Sequence, residues 1–130
     1  MSTTGPAPFL PTILVAEDST EQRSLYVAIL EGAGYRVLEA SDGEEAVAIV
    51  RSERPGLVLM DVTMPRTSGW NAVRALKEDP ETMGIPIIVV TGLVGTWDRD
   101  ASIAAGADEH LAKPVSPPTL LKEVHKFLRR

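Results

Sequence analysis

The sequence predicts an α/β protein built on a parallel sheet that is covered on both faces. Two near-continuous apolar runs, Leu57–Met60 and Ile85–Val90, have strand length and none of the alternation of a half-exposed strand. That is the pattern of strands buried on both sides. Strand-like runs alternate along the chain with segments of helical period, as in βαβ units with right-handed crossovers. A third observation is where the runs stop. Glu17–Asp18, Asp61, Thr91 and Lys113 each stand at a carboxyl-terminal strand end, which is where open parallel sheets carry their chemistry.

Residues 1–11, rich in Ser, Thr, Gly and Pro, are expected to be a poorly ordered arm. Ile13–Ala16 is the first strand and ends in Glu17–Asp18. Ser19 and Gln22 have the spacing of a capping box, and Leu25, Ala28, Ile29 and Ala33 give the helix after it an apolar stripe that closes at Gly34. Tyr35–Ala40 is the second strand. Ser41 and Glu44 suggest another capping box, for a helix that turns Ala46, Ile49 and Val50 inward and is finished by Pro55. Leu57–Asp61 is the third strand, bounded by Pro55–Gly56 and Met64–Pro65. A loop over Thr63–Gly69 leads to a helix with Ala72, Val73 and Leu76 on one face, which Asp79–Pro80 stops. Ile85–Val90 is the fourth strand, ending in Thr91. Gly92 and Gly95 loosen the following loop, and a helix of roughly Thr96–Ala105 ends at Gly106. Asp108–Ala112 is a fifth, less apolar strand ending in Lys113–Pro114. Ser116 caps the last helix, with Pro117 in its first turn and Leu120, Leu121, Val124, Phe127 and Leu128 as its apolar side.

The 130 residues carry a net charge of −5 and no cysteine. One core is adequate at that length, and neither a disulfide framework nor a thiolate zinc site can form. Mild acidity speaks against direct nucleic-acid binding, and the only basic cluster is Arg129–Arg130. No stretch approaches a membrane span, and Met1–Thr12 lacks the pattern of a signal peptide, so no membrane partner and a cytoplasmic location are expected.

Glu17, Asp18 and Asp61 would meet at the ends of neighbouring strands. Three carboxylates in one place repel, and a hard cation that prefers oxygen relieves the repulsion. Mg²⁺ suits best, since it keeps several waters and so leaves positions open to other oxygen ligands. Taken singly, each landmark also has an ordinary structural role: an acidic pair suits a helix N-terminus, a threonine a turn, a lysine the solvent.

Glu17–Asp18, the run Asp61-x-x-Met64-Pro65-x-x-x-Gly69, Thr91 and Lys113–Pro114, in this order, resemble the receiver domain of two-component response regulators. The resemblance covers residues 12–130. It implies a doubly wound (βα)5 sandwich of flavodoxin-like type with strand order 2-1-3-4-5. It also implies that Asp61 is the phosphoacceptor, attacking a phosphoryl group in line to give an acyl phosphate. Lys113 and the metal then neutralise phosphoryl oxygens, and the Thr91 hydroxyl donates to one of them. The metal ligands become Glu17, Asp18, Asp61 and the backbone carbonyl of Thr63, and the Lys113–Pro114 bond becomes cis. The donor would be a phosphohistidine of a histidine kinase or phosphotransfer protein. Output to a downstream protein would leave through the face of the fourth helix, fifth strand and fifth helix (α4-β5-α5), from a monomer or a weak, phosphorylation-dependent dimer. No output domain is expected after the fifth helix.

His110 stands three residues before Lys113, where the resemblance places an aromatic residue that moves inward when threonine engages phosphate. Imidazole is smaller and titrates near neutrality, so a weaker or pH-dependent switch is expected there, against the plainer reading of a solvated strand residue. Thr63 and Leu93 flank the approach of a hydrolytic water. Apolar Leu93 cannot orient one, and Gly92 leaves the site open; Leu93 is expected to dominate and lengthen the life of the phosphoryl group. His125 reads as a helix-face residue rather than a ligand, and Trp97 as a core anchor or a docking residue. A metal-dependent phosphatase is the main competing reading, but it asks for Asp-x-Asp on the first strand. An interaction domain without the switch would not need the acidic, Thr and Lys positions. A nucleotide or flavin site would set its phosphates against Glu17–Asp18.

Overall fold

The computed structural model describes residues 11–62, 68–92 and 104–128. Five strands, β1 (Thr12–Ala16), β2 (Arg36–Ala40), β3 (Leu57–Asp61), β4 (Ile87–Thr91) and β5 (Glu109–Ala112), are joined by α1 (Thr20–Gly32), α2 (Gly43–Glu53) and α3 (Ser68–Glu78), and α4 (Pro117–Leu128) closes the chain. All strand pairs are parallel and the order is β2-β1-β3-β4-β5, as the resemblance implies. The Lys113–Pro114 bond is cis.

The uninterrupted apolar runs follow from burial on both sides. Leu14, Ala16, Val58, Met60, Ile87 and Val89 pack with Ala46 and Val50 of α2 and Ala72, Val73 and Leu76 of α3. Their neighbours in sequence, Ile13, Val15, Leu57, Leu59, Ile88 and Val90, point the other way, to Tyr26 and Leu30 of α1 and Leu120 and Val124 of α4. Each strand therefore feeds two cores, and no position on β3 or β4 is left for a solvent-facing side chain.

Three helix details differ from the sequence expectation. In α1 the buried residues are Tyr26 and Leu30, while Leu25 is 59% exposed and Ala28 is exposed. The inward face is turned by one residue, about 100°, and it is Tyr26 that joins Val15, Leu59 and Leu120 in one buried cluster. The cap of α2 is Asp42 rather than Ser41: Asp42 Oδ1 accepts from Glu45 N at 2.8 Å, and Glu45 Oε1 accepts from Ser41 N at 2.7 Å. Adjacent Ser and Asp both suit a cap, and the one with the carboxylate is used. Helix α3 starts at Ser68, so Gly69 lies in its first turn rather than in the loop before it. The C-terminus of α1 is as expected. Gly34 takes φ +98°, and Tyr35 N and Gly34 N donate to Leu30 O and Glu31 O, the two crossed bonds of a Schellman ending. The expected helix over Thr96–Ala105 lies mostly outside the described residues, as do Met1–Leu10, Leu93 and Trp97.

Lys77, near the end of α3, ties together the amino-terminal ends of β4 and β5. Its ammonium donates to Met83 O at 3.0 Å and Ile85 O at 2.8 Å and pairs with Asp108 Oδ2 at 2.7 Å. Asp108 Oδ2 in turn accepts from Ile87 N. The Lys77 side chain is only 13% exposed, so its loss would leave two carbonyls and a carboxylate short of a donor. Lys77→Met is expected to destabilise the protein by about 2–3 kcal/mol, read as a lower urea midpoint at unchanged slope. A loss below about 0.5 kcal/mol would mark the arrangement as a surface ion pair of little consequence.

Candidate functional site

Strand register alone brings the strand-end residues together. Ala16 lies opposite both Ala40 and Met60, so Glu17 leaves the sheet beside Asp61. Asp61 pairs with Val90, one residue short of Thr91, and Thr91 pairs with Ala112, one short of Lys113. The Lys113 amide donates to Thr91 O at 2.8 Å, which extends the β4–β5 ladder to the site.

One carboxylate oxygen each of Glu17, Asp18 and Asp61 lies within 4.8 Å of the others. Glu17 and Asp61 are each 2% exposed, and Thr91 is fully buried, whereas Asp18 faces solvent. Lys113 Nζ reaches Asp61 Oδ2 at 2.8 Å and Glu17 Oε1 at 3.5 Å. Burial would release the Lys113 proton more easily, but the hydrogen bond to Asp61 and the surrounding negative charge outweigh it and hold the ammonium above its usual pKa.

Glu17 is the more perturbed group. Burial, then the hydrogen bond shared with Asp61 and the Asp61 charge, push its pKa from 4.5 up to about 8, against the Ser19 amide and Lys113, which pull it down. Its two oxygens differ. Oε2 accepts from Ser19 N at 3.0 Å, while buried Oε1 meets no hydrogen-bond donor among the described residues. With both carboxylates ionised, Oε1 keeps only the long ion pair to Lys113, at 3.5 Å, and no hydrogen bond; a proton or a cation satisfies it. A donor set of three clustered carboxylates with one oxygen in that condition suits a hard divalent ion.

Gly69 lies against β3 where it leaves the sheet. A Cβ at this position would sit 2.8 Å from both Asp61 O and Val62 Cα, so any larger residue would push α3 off the strand that carries Asp61. The spacing Asp61-x-x-x-x-x-x-x-Gly69 thus has a steric meaning that sequence reading did not supply. At Gly92 an added Cβ would meet, among the described residues, only Lys113 Cδ, at 3.8 Å.

Two other residues near the site were not foreseen. Tyr26 is buried beside the acidic group, and burial raises its pKa. Arg23 of α1 reaches back to the Glu17 carbonyl. Nothing local in the sequence marks the second, whose partner Glu39 lies 16 residues on, in a strand that also carries Arg36.

His110 is half-buried opposite Val89, with its Nε2 atom buried and without a hydrogen-bond partner among the described residues. It is not the solvated strand residue of the plainer reading. His125 lies on α4 with Nδ1 3.0 Å from the Tyr35 hydroxyl, remote from the carboxylates in sequence and bound to no acidic group in that contact. Thr63 and Leu93 lie outside the described residues.

Comparison with known proteins agrees with this geometry. The family model of the response regulator receiver domain matches residues 13–125. Protein PilH of Pseudomonas aeruginosa is 40% identical over 116 residues, which are 89% of this chain and 96% of that protein. The chain spans about half the length of other curated relatives, among them the transcriptional regulator PhoB. Among solved structures, chemotaxis protein CheY4 of Vibrio cholerae superposes with a TM-score of 0.85 at 32% identity, over 92% of this chain and 99% of that one. The receiver domain of sensor histidine kinase PA1611 from Pseudomonas aeruginosa, solved with magnesium in its active-site cleft, gives a TM-score of 0.84 at 30% identity, over 91% and 97%. No helix among the described residues is long and apolar enough to cross a membrane.

Proposed function

The chain belongs to the response regulator receiver domain family of two-component signalling, and on that footing we propose that Asp61 is its phosphoacceptor. The observation that carries this reading is the contact of Lys113 Nζ with Asp61 Oδ2 at 2.8 Å, inside a cluster of three carboxylates. An Asp61 carboxylate oxygen attacks phosphorus in line. The new P–O bond forms as the P–N bond to a histidine of a kinase or phosphotransfer protein breaks, and the leaving imidazole takes up a proton. Lys113 follows the charge from the carboxylate to a phosphoryl oxygen, and the Thr91 hydroxyl donates to another.

Glu17, Asp18 and Asp61 would hold Mg²⁺, joined by the Thr63 carbonyl. Once bound, the ion neutralises charge on the phosphoryl oxygens. The chain's own contribution is to keep these oxygens close and to orient Asp61. His110, half-buried on β5, is the proposed relay from Thr91 to the face that the family builds from its fourth helix, fifth strand and fifth helix, through which a downstream protein would read the state.

Incubation with Mg²⁺ and a small acyl phosphate tests the proposal. A persistent gain of one phosphoryl group, mapped to Asp61, is the expected result. Steady release of phosphate from an ester without a labelled protein would favour a phosphatase, although β1 lacks the Asp-x-Asp such enzymes use.

A further inference from the structure

The register of β1 with β2 and β3 ends at Ala16, and one backbone bond to β2 follows it, yet the peptide between Glu17 and Asp18 carries two of the three clustered carboxylates. Its amino side is tied down, since Glu17 N donates to Ala40 O at 3.0 Å. Its carbonyl leaves the ladder and is received by the guanidinium of Arg23, with Nη1 at 2.7 Å. The same guanidinium uses Nε to reach Glu39 Oε1 on β2 at 3.0 Å. Arg23 is only 17% exposed, and its amide donates to Ser19 O in the first turn of α1. One planar group thus braces three pieces, namely the α1 helix, strand β2 and the turn that presents Glu17 and Asp18.

We infer that Arg23 is a positioning residue for the metal site: it holds the Glu17 carbonyl so that the next side chain, Asp18, stays within reach of Glu17 and Asp61. Asp18 is exposed, and packing does little to direct an exposed side chain. What directs it is the orientation of the peptide before it. Groups that orient metal ligands are commonly worth ten- to a hundredfold in affinity, and the fork of an arginine does this with less freedom than an ammonium. The inference rests on the proposed Mg²⁺ site.

Charge and position give opposite signs, which makes the inference testable. A cation beside an acidic cluster weakens binding of another cation, so removing it should on charge alone strengthen Mg²⁺ binding. Removing a brace should weaken it. The experiment is calorimetric titration of metal-free protein with Mg²⁺ at pH 8.5, alongside its melting temperature without metal. Expected for Arg23→Met is Mg²⁺ affinity lower by about tenfold or more, with Arg23→Lys, which keeps the charge, also weakened. Arg51→Met removes a surface arginine paired with Asp79 and makes the same change of net charge; its affinity should stay within about twofold of wild type. Should Arg23→Met prove unfolded, Arg23→Lys carries the test. Wild-type or tighter affinity in the Arg23 variants, with Asp18→Asn losing Mg²⁺, overturns the inference and leaves the site standing, as does a fall in melting temperature at unchanged affinity. A wild-type protein that takes up no Mg²⁺ overturns the site and the inference together.

Discussion

Asp61→Asn is expected to abolish phosphoryl acceptance while leaving the fold intact. The amide is almost the same size as the carboxylate it replaces, and its oxygen can still accept from Lys113 Nζ, now 2.8 Å from Asp61 Oδ2. It has no lone pair on a charged oxygen with which to attack phosphorus, so labelling by a small acyl phosphate with Mg²⁺ should fall below detection in intact-mass measurements. Stability moves differently. The Asp61 charge is one of the causes that push Glu17 up, so its removal relieves a repulsion within the metal-free site, and the melting temperature should hold or rise by a few degrees. Undiminished labelling of the variant, or its unfolding, would sink the assignment of Asp61.

The second large effect is a pH dependence of Mg²⁺ binding. Glu17 has its pKa raised from 4.5 to about 8 in the folded, metal-free protein. For an acid shifted upward, the folded chain binds the proton more tightly than the unfolded one. The associated stability is fully present below pH 4.5 and is lost as pH rises through 8, so the metal-free protein should weaken across that window. A cation needs Glu17 ionised and displaces its proton. Affinity for Mg²⁺ should therefore climb from pH 6 to pH 8 by up to about tenfold per unit and level off above. Calorimetry in buffers of different ionisation heat should find close to one proton released at pH 7 and none at pH 9. In Glu17→Gln the pH dependence should flatten, the affinity drop, and metal-free stability at pH 8 increase. An affinity that does not change between pH 6 and pH 8 in the wild type would contradict the placement of that proton.

Much of this was legible before any coordinates. Leu57–Met60 and the apolar run through Val90 read as strands because a residue buried on either face of a covered sheet must be apolar, whichever way it points. Once five such strands are in parallel array, their carboxyl ends share one edge, so Glu17, Asp18, Asp61, Thr91 and Lys113 could be gathered from their places in the sequence alone. The last helix was similarly plain, with Ser116 accepting from Thr119 N at 3.2 Å and Leu120 and Val124 buried.

Other features depended on contacts between residues far apart in the chain. The stripe read from Leu25 missed Tyr26, which is the residue that joins Val15 and Leu59 in the core. The cap read as Ser41 is Asp42, whose carboxylate accepts from the Glu45 amide. The steric demand at Gly69, the brace from Arg23 to the Glu17 carbonyl and the proton on Glu17 have no local signature. Each exists only because a second segment arrives at a distance of about 3 Å. Sequence pattern determined which strands are buried on both faces and which polar residues stand at their ends, since period and polarity are properties of a single segment. The protonation and orientation of those groups were decided by the tertiary structure, because desolvation and charge depend on what stands next to them in space.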